Sequence, residues 1–430
     1  MNKPRIDASE ALWRRAKGII PAGTQTLSKG PTQFVDGVAP KYLQRGKGCH
    51  VWDVDGNRYI DYGMGLHPII LGYCYPAVDE AIKRQLEDGI TFTLMHPLEV
   101  ELAELLIETI PCAESVRYGK NGSDVTSAAV RVARAYTGRD RIALCGYHGW
   151  QDWYIGTTER NKGVPAAVRE LSHVFEYNDI DSLQALFDAH PGEFAAVIME
   201  PMGVVEPKDD FLNKVKEAAH THGAIFILDE IITGFRWALG GAQEYFNVTP
   251  DLAAFGKCMS NGMPVSALAG KKEIMDQLEE VFFSFTFGGE CLSLAASKAT
   301  ITELRDKNVT PFIWAQGAKI RDGFNALAAK AGLAAFVRFV GLPPRTVAAF
   351  TGGDHFVDLE LKSLFQQECI KRGVLFTGYN AISFAHDDQV VDQTLGVYEE
   401  ALGVLARAIG DGSIKKFLEG DVVRPVFRKV

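Results

Sequence analysis

The stretch AIFILDE, residues 224–230, is the part of the sequence that decides the fold. Five apolar residues run directly into Asp229 and Glu230, a pattern typical of a buried strand that ends at a polar edge. In open α/β sheets, ligands bind beyond the carboxyl ends of the strands, so an acid at this point could meet a cationic group of a ligand. Asp229 taken alone could equally cap a turn or a helix.

Strand and helix patterns alternate on both sides of this stretch. Short apolar runs at residues 116–118, 141–144 and 195–199 predict strands, and residues 123–136 between the first two predict a helix. Such alternation predicts an α/β fold in which a mostly parallel sheet is flanked by helices.

A second domain is predicted from the two ends of the chain. Residues 50–54 and 58–62 predict a β-hairpin around the turn Asp55-Gly56, which interrupts the parallel pattern. From about residue 292 the pattern shifts to long helices with few strands. We therefore predict a large domain over residues 61–294 and a smaller α+β domain formed by residues 1–60 and 295–430.

The composition argues against several classes of protein. The 430 residues are 47% hydrophobic and 23% charged, as in globular proteins, and at roughly 150 residues per domain they suffice for two or three domains. The net charge of -9 argues against a nucleic-acid binder. No stretch approaches the roughly 18 apolar residues of a membrane span. The seven scattered cysteines, without a C-x-x-C motif, predict reduced thiols in the cytoplasm.

A lysine follows the next apolar stretch, AAFGK at residues 253–257. Desolvation at the end of a buried strand would make the neutral amine of Lys257 available as a nucleophile or a base. The commoner alternative for any single lysine is a surface position with its ammonium group in water.

Two further strand ends carry polar or aromatic groups. GKNGSD, residues 119–124, precedes a helix, so its N–H groups and the Ser123 hydroxyl form either a phosphate cup or an ordinary N-cap. In GYHGW, residues 146–150, Tyr147 could stack on a planar ring or pack in the core. His220 and His222 have no carboxylate or cysteine at ligand spacing, so no metal site is predicted.

Taken together and in this order, these segments resemble the class III aminotransferases, which are pyridoxal-phosphate (PLP) enzymes of fold type I. Within that family the chain looks most like the glutamate-1-semialdehyde aminomutase branch, and the likeness covers nearly its whole length. The segments that carry it are VWDVDGNRYIDY (51–62), NGSDVTSAAVRVARAYTGRD (121–140), GYHG (146–149), MEP (199–201), LDEIITGFR (228–236), FGK (255–257) and TFGG (286–289).

The resemblance implies roles for the residues that would surround the cofactor ring. Lys257 would form a Schiff base with the PLP aldehyde, and Asp229 would pair with the ring nitrogen and keep it protonated. Tyr147 and Ile231 would pack on the two faces of the ring. Glu200 would be a polar group near the ring edge.

The resemblance also implies how the phosphate is held. Gly122 and Ser123 would bind it together with Thr286 of a neighbouring subunit. The family pattern therefore implies an obligate homodimer with its active sites at the subunit interface.

The sequence departs from the aminomutase branch at positions that would meet the substrate. Lys29 stands where that branch has an arginine for the substrate carboxylate, and lysine offers a point charge instead of a bidentate fork. Tyr379 and Asn380 occupy a segment that lacks the glutamate of that branch. Trp150 and Trp153 lie where the aminomutase has its mobile lid. We expect these five residues to contact the substrate.

These departures favour an aminotransferase over a mutase, because a mutase needs a lid to retain its intermediate. We predict a ping-pong transfer of an amino group from an amino acid, such as glutamate or alanine, to an aldehyde or ketone, with sugar-derived compounds among the candidates. The main alternative is the intramolecular transfer of the aminomutase. A PLP decarboxylase or epimerase, and a sugar- or nucleotide-binding protein without PLP, are the others.

Overall fold

The predicted hairpin and the predicted alternating strands fall in different units of the structure. The computed structural model describes residues 3–424, and the chain divides into two units. Of the described residues, the larger unit contains 76–310 and the smaller contains 3–75 and 311–424. The predicted boundaries, after residues 60 and 294, come earlier in the chain. Residues beyond the hairpin stay in the smaller unit because Met64 and Ile69 pack against Ala381.

The strands of the described residues, in chain order, are β1 Leu43–Lys47, β2 His50–Asp53, β3 Arg58–Asp61, β4 Ser115–Gly119, β5 Arg141–Cys145, β6 Ser172–Val174, β7 Phe194–Met199, β8 Ile225–Asp229, β9 Leu252–Phe255, β10 Ser266–Gly270, β11 Val337–Val340, β12 Arg345–Phe350, β13 Val374–Leu375 and β14 Tyr379–Ala381.

The α-helices are α1 Asp7–Ile19, α2 Pro76–Asp88, α3 Pro97–Thr109, α4 Gly122–Thr137, α5 Asp152–Ile155, α6 Ala166–Arg169, α7 Ile180–Ala189, α8 Phe211–Thr221, α9 Ala242–Tyr245, α10 Lys272–Met275, α11 Cys291–Asp306, α12 Val309–Lys330, α13 Asp358–Lys371 and α14 Asp388–Gly410.

The larger unit is built on one seven-stranded sheet in the order β4-β10-β9-β8-β7-β5-β6. Only β10 runs antiparallel to its neighbours, while the other observed pairs are parallel. Every residue of β7 and β8 is buried, as expected when both faces of a parallel sheet are covered. The predicted α/β fold with a mostly parallel sheet is confirmed. The carboxyl ends of β4, β5, β7, β8 and β9 therefore lie at one edge.

The smaller unit contains two sheets, in the orders β1-β2-β3-β13 and β11-β12-β14. The predicted hairpin is present, since β2 and β3 pair in an antiparallel manner. Strand β13 then adds to β3 in parallel, with Val374 opposite Ile60. This pairing joins the N-terminal segment to the C-terminal part of the chain.

Two negative findings hold for residues 3–424. None of the helices is both long and apolar enough to cross a membrane. No group of three or more His, Cys, Asp or Glu side chains there is arranged to hold a metal ion. His220 instead pairs with Asp251 at 2.8 Å, and His222 stacks on Phe187.

Candidate active site

Lys257 and Asp229 follow neighbouring parallel strands of the larger unit. Asp229, the last residue of β8, lies opposite Ala254 of β9, and Lys257 comes just after β9 ends. Neighbouring strands are about 4.8 Å apart, so the two side chains emerge at the same edge of the sheet. Lys257 has φ 41°, a left-handed conformation that is strained for a lysine. Strain of this kind concentrates at functional sites.

Asp229 is held by a histidine to which the sequence analysis gave no role. The Asp229 side chain is only 4% exposed, and its Oδ2 lies 2.8 Å from Nδ1 of His148. His148 is itself buried, and its Nε2 lies 3.2 Å from the carbonyl oxygen of Cys145. The only signal in the sequence was the place of His148 between Tyr147 and a glycine. Its partner could be known only from the fold.

Ile231 forms one wall of the site. Its backbone N–H donates to Oδ1 of Asp229 at 3.1 Å. A Cβ placed on Gly122 would lie 3.0 Å from the Ile231 side chain, and a Cβ on Gly256 would lie 3.2 Å from it. The two glycines thus let Ile231 lie between the start of α4 and the residue before Lys257.

The start of α4 forms a cup that is closed from one side by the loop after β5. Ser123 is buried at the first turn of the helix. Gly149 has φ 110°, and a Cβ on it would lie 2.6 Å from the Cβ of Ser123, so only glycine fits there. The Thr126 hydroxyl donates to the carbonyl of His148 at 2.9 Å and ties the loop to the helix. N–H groups at a helix start are suited to a phosphate.

Glu200, directly after β7, supports the same loop. Its Oε2 accepts the backbone N–H of Tyr147 at 2.9 Å, and a Cβ on Gly146 would lie 2.7 Å from that oxygen. Burial raises the pKa of Glu200, and the neighbouring Asp229 raises it further, while Tyr147 N–H, His148 and Lys257 act in the opposite direction. Burial also raises the pKa of Tyr147, as do Asp229 and Glu200. Tyr147 is 49% exposed and can present its ring to a ligand.

The chemistry of this edge fits PLP. An amine follows β9, a buried carboxylate ends β8, and a helix start follows β4, which match the aldehyde, the ring nitrogen and the phosphate of the cofactor. The glycines at 122, 146, 149 and 256 let these segments approach closely, because a Cβ at each would lie 2.6–3.2 Å from Ile231, Glu200 or Ser123. The structure thus brings these predicted cofactor residues together at one edge: Gly122, Ser123, Tyr147, Glu200, Asp229, Ile231 and Lys257.

Thr286 lies in an exposed segment of the larger unit. That segment is held by Arg131, whose Nη1 donates to the carbonyl of Phe282 at 3.1 Å, and by Arg117, whose Nη2 donates to the carbonyl of Phe283 at 3.0 Å. The phosphate contact of Thr286 involves a second subunit, so it stays a prediction.

The two tryptophans predicted to meet the substrate have different environments. Trp150 is 67% exposed. Trp153 is only 7% exposed, its indole N–H donates to the Ser127 hydroxyl at 2.9 Å, and its ring stacks on His148. We therefore correct the assignment of Trp153 from a substrate contact to a packing residue, because its polar group and one ring face are already engaged.

The other three predicted substrate residues lie in the smaller unit. Lys29 is exposed. Tyr379 stacks on His67 with ring centroids 4.5 Å apart and stays a predicted contact. Asn380 is fully buried, donates to the Thr346 hydroxyl at 3.1 Å and accepts from Tyr398. We correct its assignment to an interior hydrogen-bonding residue, because both ends of its amide have protein partners.

Comparisons with known proteins agree with this geometry. The family model Aminotransferase class-III matches residues 35–385. The chain is 35% identical to a 3-aminobutyryl-CoA aminotransferase of Cloacimonas acidaminovorans, over 95% of this chain and 99% of that protein. It is also 35% identical to a glutamate-1-semialdehyde 2,1-aminomutase of Alkaliphilus oremlandii, over 93% of this chain and 99% of that protein.

A solved structure extends the likeness to the fold. The PLP internal aldimine form of the FumI protein of Sphingopyxis sp. MTA144 superposes with a TM-score of 0.87 at 29% identity, over 94% of this chain and 97% of that chain. The family match, the similar proteins and the residues at the sheet edge lead to one conclusion. This chain belongs to the class III aminotransferase family and is a PLP-dependent aminotransferase of fold type I.

Proposed function

We propose that this enzyme moves an amino group between two separate substrates, from an amino acid to an aldehyde or ketone. The observation that carries the proposal is the anchoring of helix α5, which lies in the segment that the sequence resemblance matches to the aminomutase lid. Trp153 and Tyr154 in this helix are each 7% exposed and belong to the core of the larger unit. A segment fixed in this way leaves the products of each half-reaction free to leave, as an intermolecular transfer requires.

The side chains at the sheet edge have distinct tasks in such a transfer. PLP, when bound, supplies an electron sink for the bond that breaks at the substrate carbon. Lys257 Nζ would hold the cofactor aldehyde and, once displaced by the substrate amine, would take the proton from the substrate carbon as a base and deliver it to the former aldehyde carbon of the cofactor as an acid. Asp229 would accept a hydrogen bond from the ring nitrogen of the bound cofactor. Tyr147 and Ile231 would orient the ring between them.

The relative named as a 3-aminobutyryl-CoA aminotransferase suggests the kind of acceptor. In 3-aminobutyryl-CoA the amino group is on the carbon β to the thioester, so the matching acceptor is a 3-oxoacyl compound. We propose 3-oxoacyl compounds as the first acceptors to test, followed by sugar-derived aldehydes and ketones. Amino transfer within glutamate-1-semialdehyde is the alternative, supported by the aminomutase relative.

Isotope labelling separates the two reactions. The holoenzyme is incubated with [15N]glutamate or [15N]alanine and each acceptor, and the product is analysed by mass spectrometry. An intermolecular aminotransferase places the label in the product. Rapid conversion of unlabelled glutamate-1-semialdehyde to 5-aminolevulinate, without uptake of label from the donor, would instead establish the mutase.

We further propose that the enzyme is a homodimer whose sites contain Thr286 of the partner chain. Exposed apolar side chains support this: Phe282 is 79% exposed and Phe287 is 59% exposed beside Thr286, and Leu94 and Met95 are 79% and 83% exposed in the same unit. Apolar exposure on this scale is typical of a surface that is covered by another protein.

Mixing two inactive variants tests the shared site. In a heterodimer of Lys257→Ala and Thr286→Ala chains, one site has both substitutions and the other has neither. Unfolding and refolding the two variants together should therefore restore about a quarter of the wild-type activity, the share expected from random pairing. If each site is built within one chain, mixing restores nothing.

We also propose a cytoplasmic location. All seven cysteines lie within the described residues, where none forms a disulfide, and Cys74 among them is exposed. Free thiols persist in a reducing compartment. Fractionation of cells that express the tagged protein would test this, and recovery outside the cytoplasm would contradict it.

A further inference from the structure

A cavity of about 470 Å³ lies beside helix α4 in the larger unit. Its volume is within the range of about 300–1,000 Å³ that is usual for small-molecule sites. We propose that this cavity binds a second ligand besides the cofactor, a phosphate monoester joined to a planar ring, as in a nucleoside monophosphate. The residues of its lining that would meet this ligand are Arg131, Arg134, Gln151, Trp153, Phe283 and Phe285.

Two arginines of α4 supply positive charge to the cavity. Arg131 and Arg134 are three residues apart and therefore lie on the same face of the helix. Arg131 donates to the carbonyl of Phe282 at 3.1 Å and Arg134 to the carbonyl of Asp140 at 2.8 Å, and neither forms a salt bridge within residues 3–424. Each guanidinium has five N–H donors, so most of them are available to a ligand.

The guanidinium of Arg134 is incompletely satisfied by the protein. Its Nη2 is buried and has no hydrogen-bond partner in the part of the chain that the structure describes. An unpaired charged donor away from water is unfavourable, and an anion in the cavity would compensate for it. Phosphate suits this position because the guanidinium fork can bond two of its oxygens at once.

An acidic residue, Asp124, also lines the cavity, but it is engaged elsewhere. Its Oδ2 accepts the backbone N–H groups of Lys120 and Asn121 at 3.0 and 2.7 Å, next to the start of α4. Asp124 comes seven residues before Arg131, which is about 10 Å along the helix axis. The two cations therefore lie at the end of the cavity that is remote from this carboxylate.

Aromatic side chains supply flat apolar walls. The rings of Phe283 and Phe285 meet edge to face with centroids 5.3 Å apart, and Trp153 contributes a third ring to the lining. Such walls suit a planar ring, which they contact by stacking. Gln151 adds an amide that can both donate to and accept from polar atoms of that ring. Charge and shape together favour a ring that carries a phosphate over either group alone.

The cavity is separate from the phosphate cup at the start of α4. Arg131 and Arg134 follow Ser123 by eight and eleven residues, or about 12 Å and 16.5 Å along the helix axis. One phosphate cannot contact both places. A ligand in the cavity would also steady the segment 282–287, because Phe283 and Phe285 belong to it and Arg131 is bonded to its first residue.

Calorimetric titration of the holoenzyme tests the ligand class. AMP carries both groups, adenosine lacks the phosphate and inorganic phosphate lacks the ring. We expect AMP to bind at one site per chain, in addition to the bound cofactor, with a dissociation constant at least about tenfold lower than those of the two fragments. Pyridoxine 5'-phosphate, which has no aldehyde to react with lysines, represents a second source of the same chemistry, and the tighter of the two esters identifies the source. No binding of either ester, or equal binding of a fragment, would overturn the proposal.

Variants locate the bound ester. Arg131→Gln and Arg134→Gln should each raise its dissociation constant at least about tenfold, because each removes a charged fork. Arg117→Gln is the matched control, because Arg117 also donates to a carbonyl of the segment, that of Phe283 at 3.0 Å, but does not line the cavity. Unchanged affinity in both Arg131→Gln and Arg134→Gln, or an equal loss in Arg117→Gln, would overturn the proposal.

Hydrogen–deuterium exchange gives a second readout that needs no substitution. We expect AMP or pyridoxine 5'-phosphate, whichever binds more tightly, to slow amide exchange in residues 282–287 of the holoenzyme, because the ligand contacts that wall of the cavity. Protection confined to other segments would place the ligand elsewhere and overturn the proposal.

Discussion

Glu200 in the larger unit and Glu368 in the smaller unit are both poorly exposed, but their pKa values are shifted in opposite directions. Burial raises the pKa of both, but at Glu368 hydrogen bonds from Gln367, Arg372 and Lys371 outweigh burial and hold the pKa below its usual value. Arg372 Nη1 lies 2.6 Å from Glu368 and Lys371 Nζ lies 3.1 Å from it. Glu200 accepts one backbone N–H and has Asp229 as a neighbour, so its pKa stays raised.

The difference separates charges that hold a fold together from charges that serve chemistry. The carboxylate of Glu368 is fully paired, which stabilises the packing of α13. The sheet edge instead keeps Glu200 buried beside Asp229, where its pKa is raised. A carboxyl with a perturbed pKa in such a place is typical of an active site.

The largest expected effect is a loss of turnover when the amine of Lys257 is removed. Lys257→Ala should lower turnover by roughly a thousandfold or more, because a general acid and base and the cofactor attachment are lost together. Turnover with labelled donor and reduction by borohydride check this, since the variant should carry no reduced pyridoxyl group at position 257. Lys271→Ala is the control, because Lys271 is paired with Asp251 at 2.7 Å and should be dispensable for activity. Full activity of Lys257→Ala would refute the assignment.

Gly146→Ala tests whether Glu200 and its loop form one unit. The residue has φ 106°, and its new Cβ would lie 2.7 Å from Glu200 Oε2. We expect a loss of about 3 kcal/mol in the free energy of unfolding and at least a tenfold loss of activity, since Tyr147 moves with the backbone. Gly56→Ala is a closer match for backbone strain, with φ 89° and open space around it. Equal losses in the two variants, measured in urea, would show that Glu200 does not contribute.

Glu368→Gln should affect stability and leave the chemistry unchanged. Two buried cations lose a charged partner, although Lys371 keeps Glu419 and Arg372 keeps Glu400. We expect about 2 kcal/mol less free energy of unfolding, with normal activity per folded molecule. Glu399→Gln, whose pair with Lys330 is exposed, should cost under about 0.5 kcal/mol. A loss of activity without a loss of stability would remove the contrast between the two glutamates.

The smallest expected effect is a pH dependence at Glu200. The folded protein binds the Glu200 proton more tightly than the unfolded chain does, so this group lowers the free energy of unfolding as pH rises above about 4.5, its value in the unfolded chain. Glu200→Gln should therefore become progressively more stable relative to wild type from pH 4.5 upward. Glu193→Gln should show the opposite trend in a different window, losing stability relative to wild type as pH rises toward 4.5 and changing no further above it, because the hydrogen bond from Arg141 lowers the pKa of Glu193. Denaturation midpoints at several pH values would detect both, and a pH-independent difference for Glu200→Gln would contradict the prediction.

Local patterns in the sequence predicted most elements that position the site. The apolar run before Asp229 is β8, and the run before Gly256 is β9. The predicted helix at 123–136 is α4, extended by one residue at each end. These predictions succeeded because buried parallel strands and amphipathic helices have periodicities that a single segment reveals.

Predictions about contacts were less successful where they depended on several distant segments. Trp153 and Asn380 were expected at the substrate, but their amide or indole groups are engaged by Ser127, Thr346 and Tyr398. His148 was overlooked because its partner, Asp229, is far away in the sequence. Aromatic and amide side chains suit a binding site and an interior equally well, so residue type alone does not choose between them.

The sequence by itself determined the order of strands and helices along the chain, and with it the five groups found at strand ends: a helix start, an aromatic loop, two acids and an amine. Only the tertiary structure decided that these ends meet, because β8 and β9 become neighbours through sheet pairing, which no local segment encodes. The tertiary structure also decided the charge of each group. Burial and hydrogen-bond partners set the charge of a carboxyl or an imidazole, and both depend on residues brought together from distant parts of the chain.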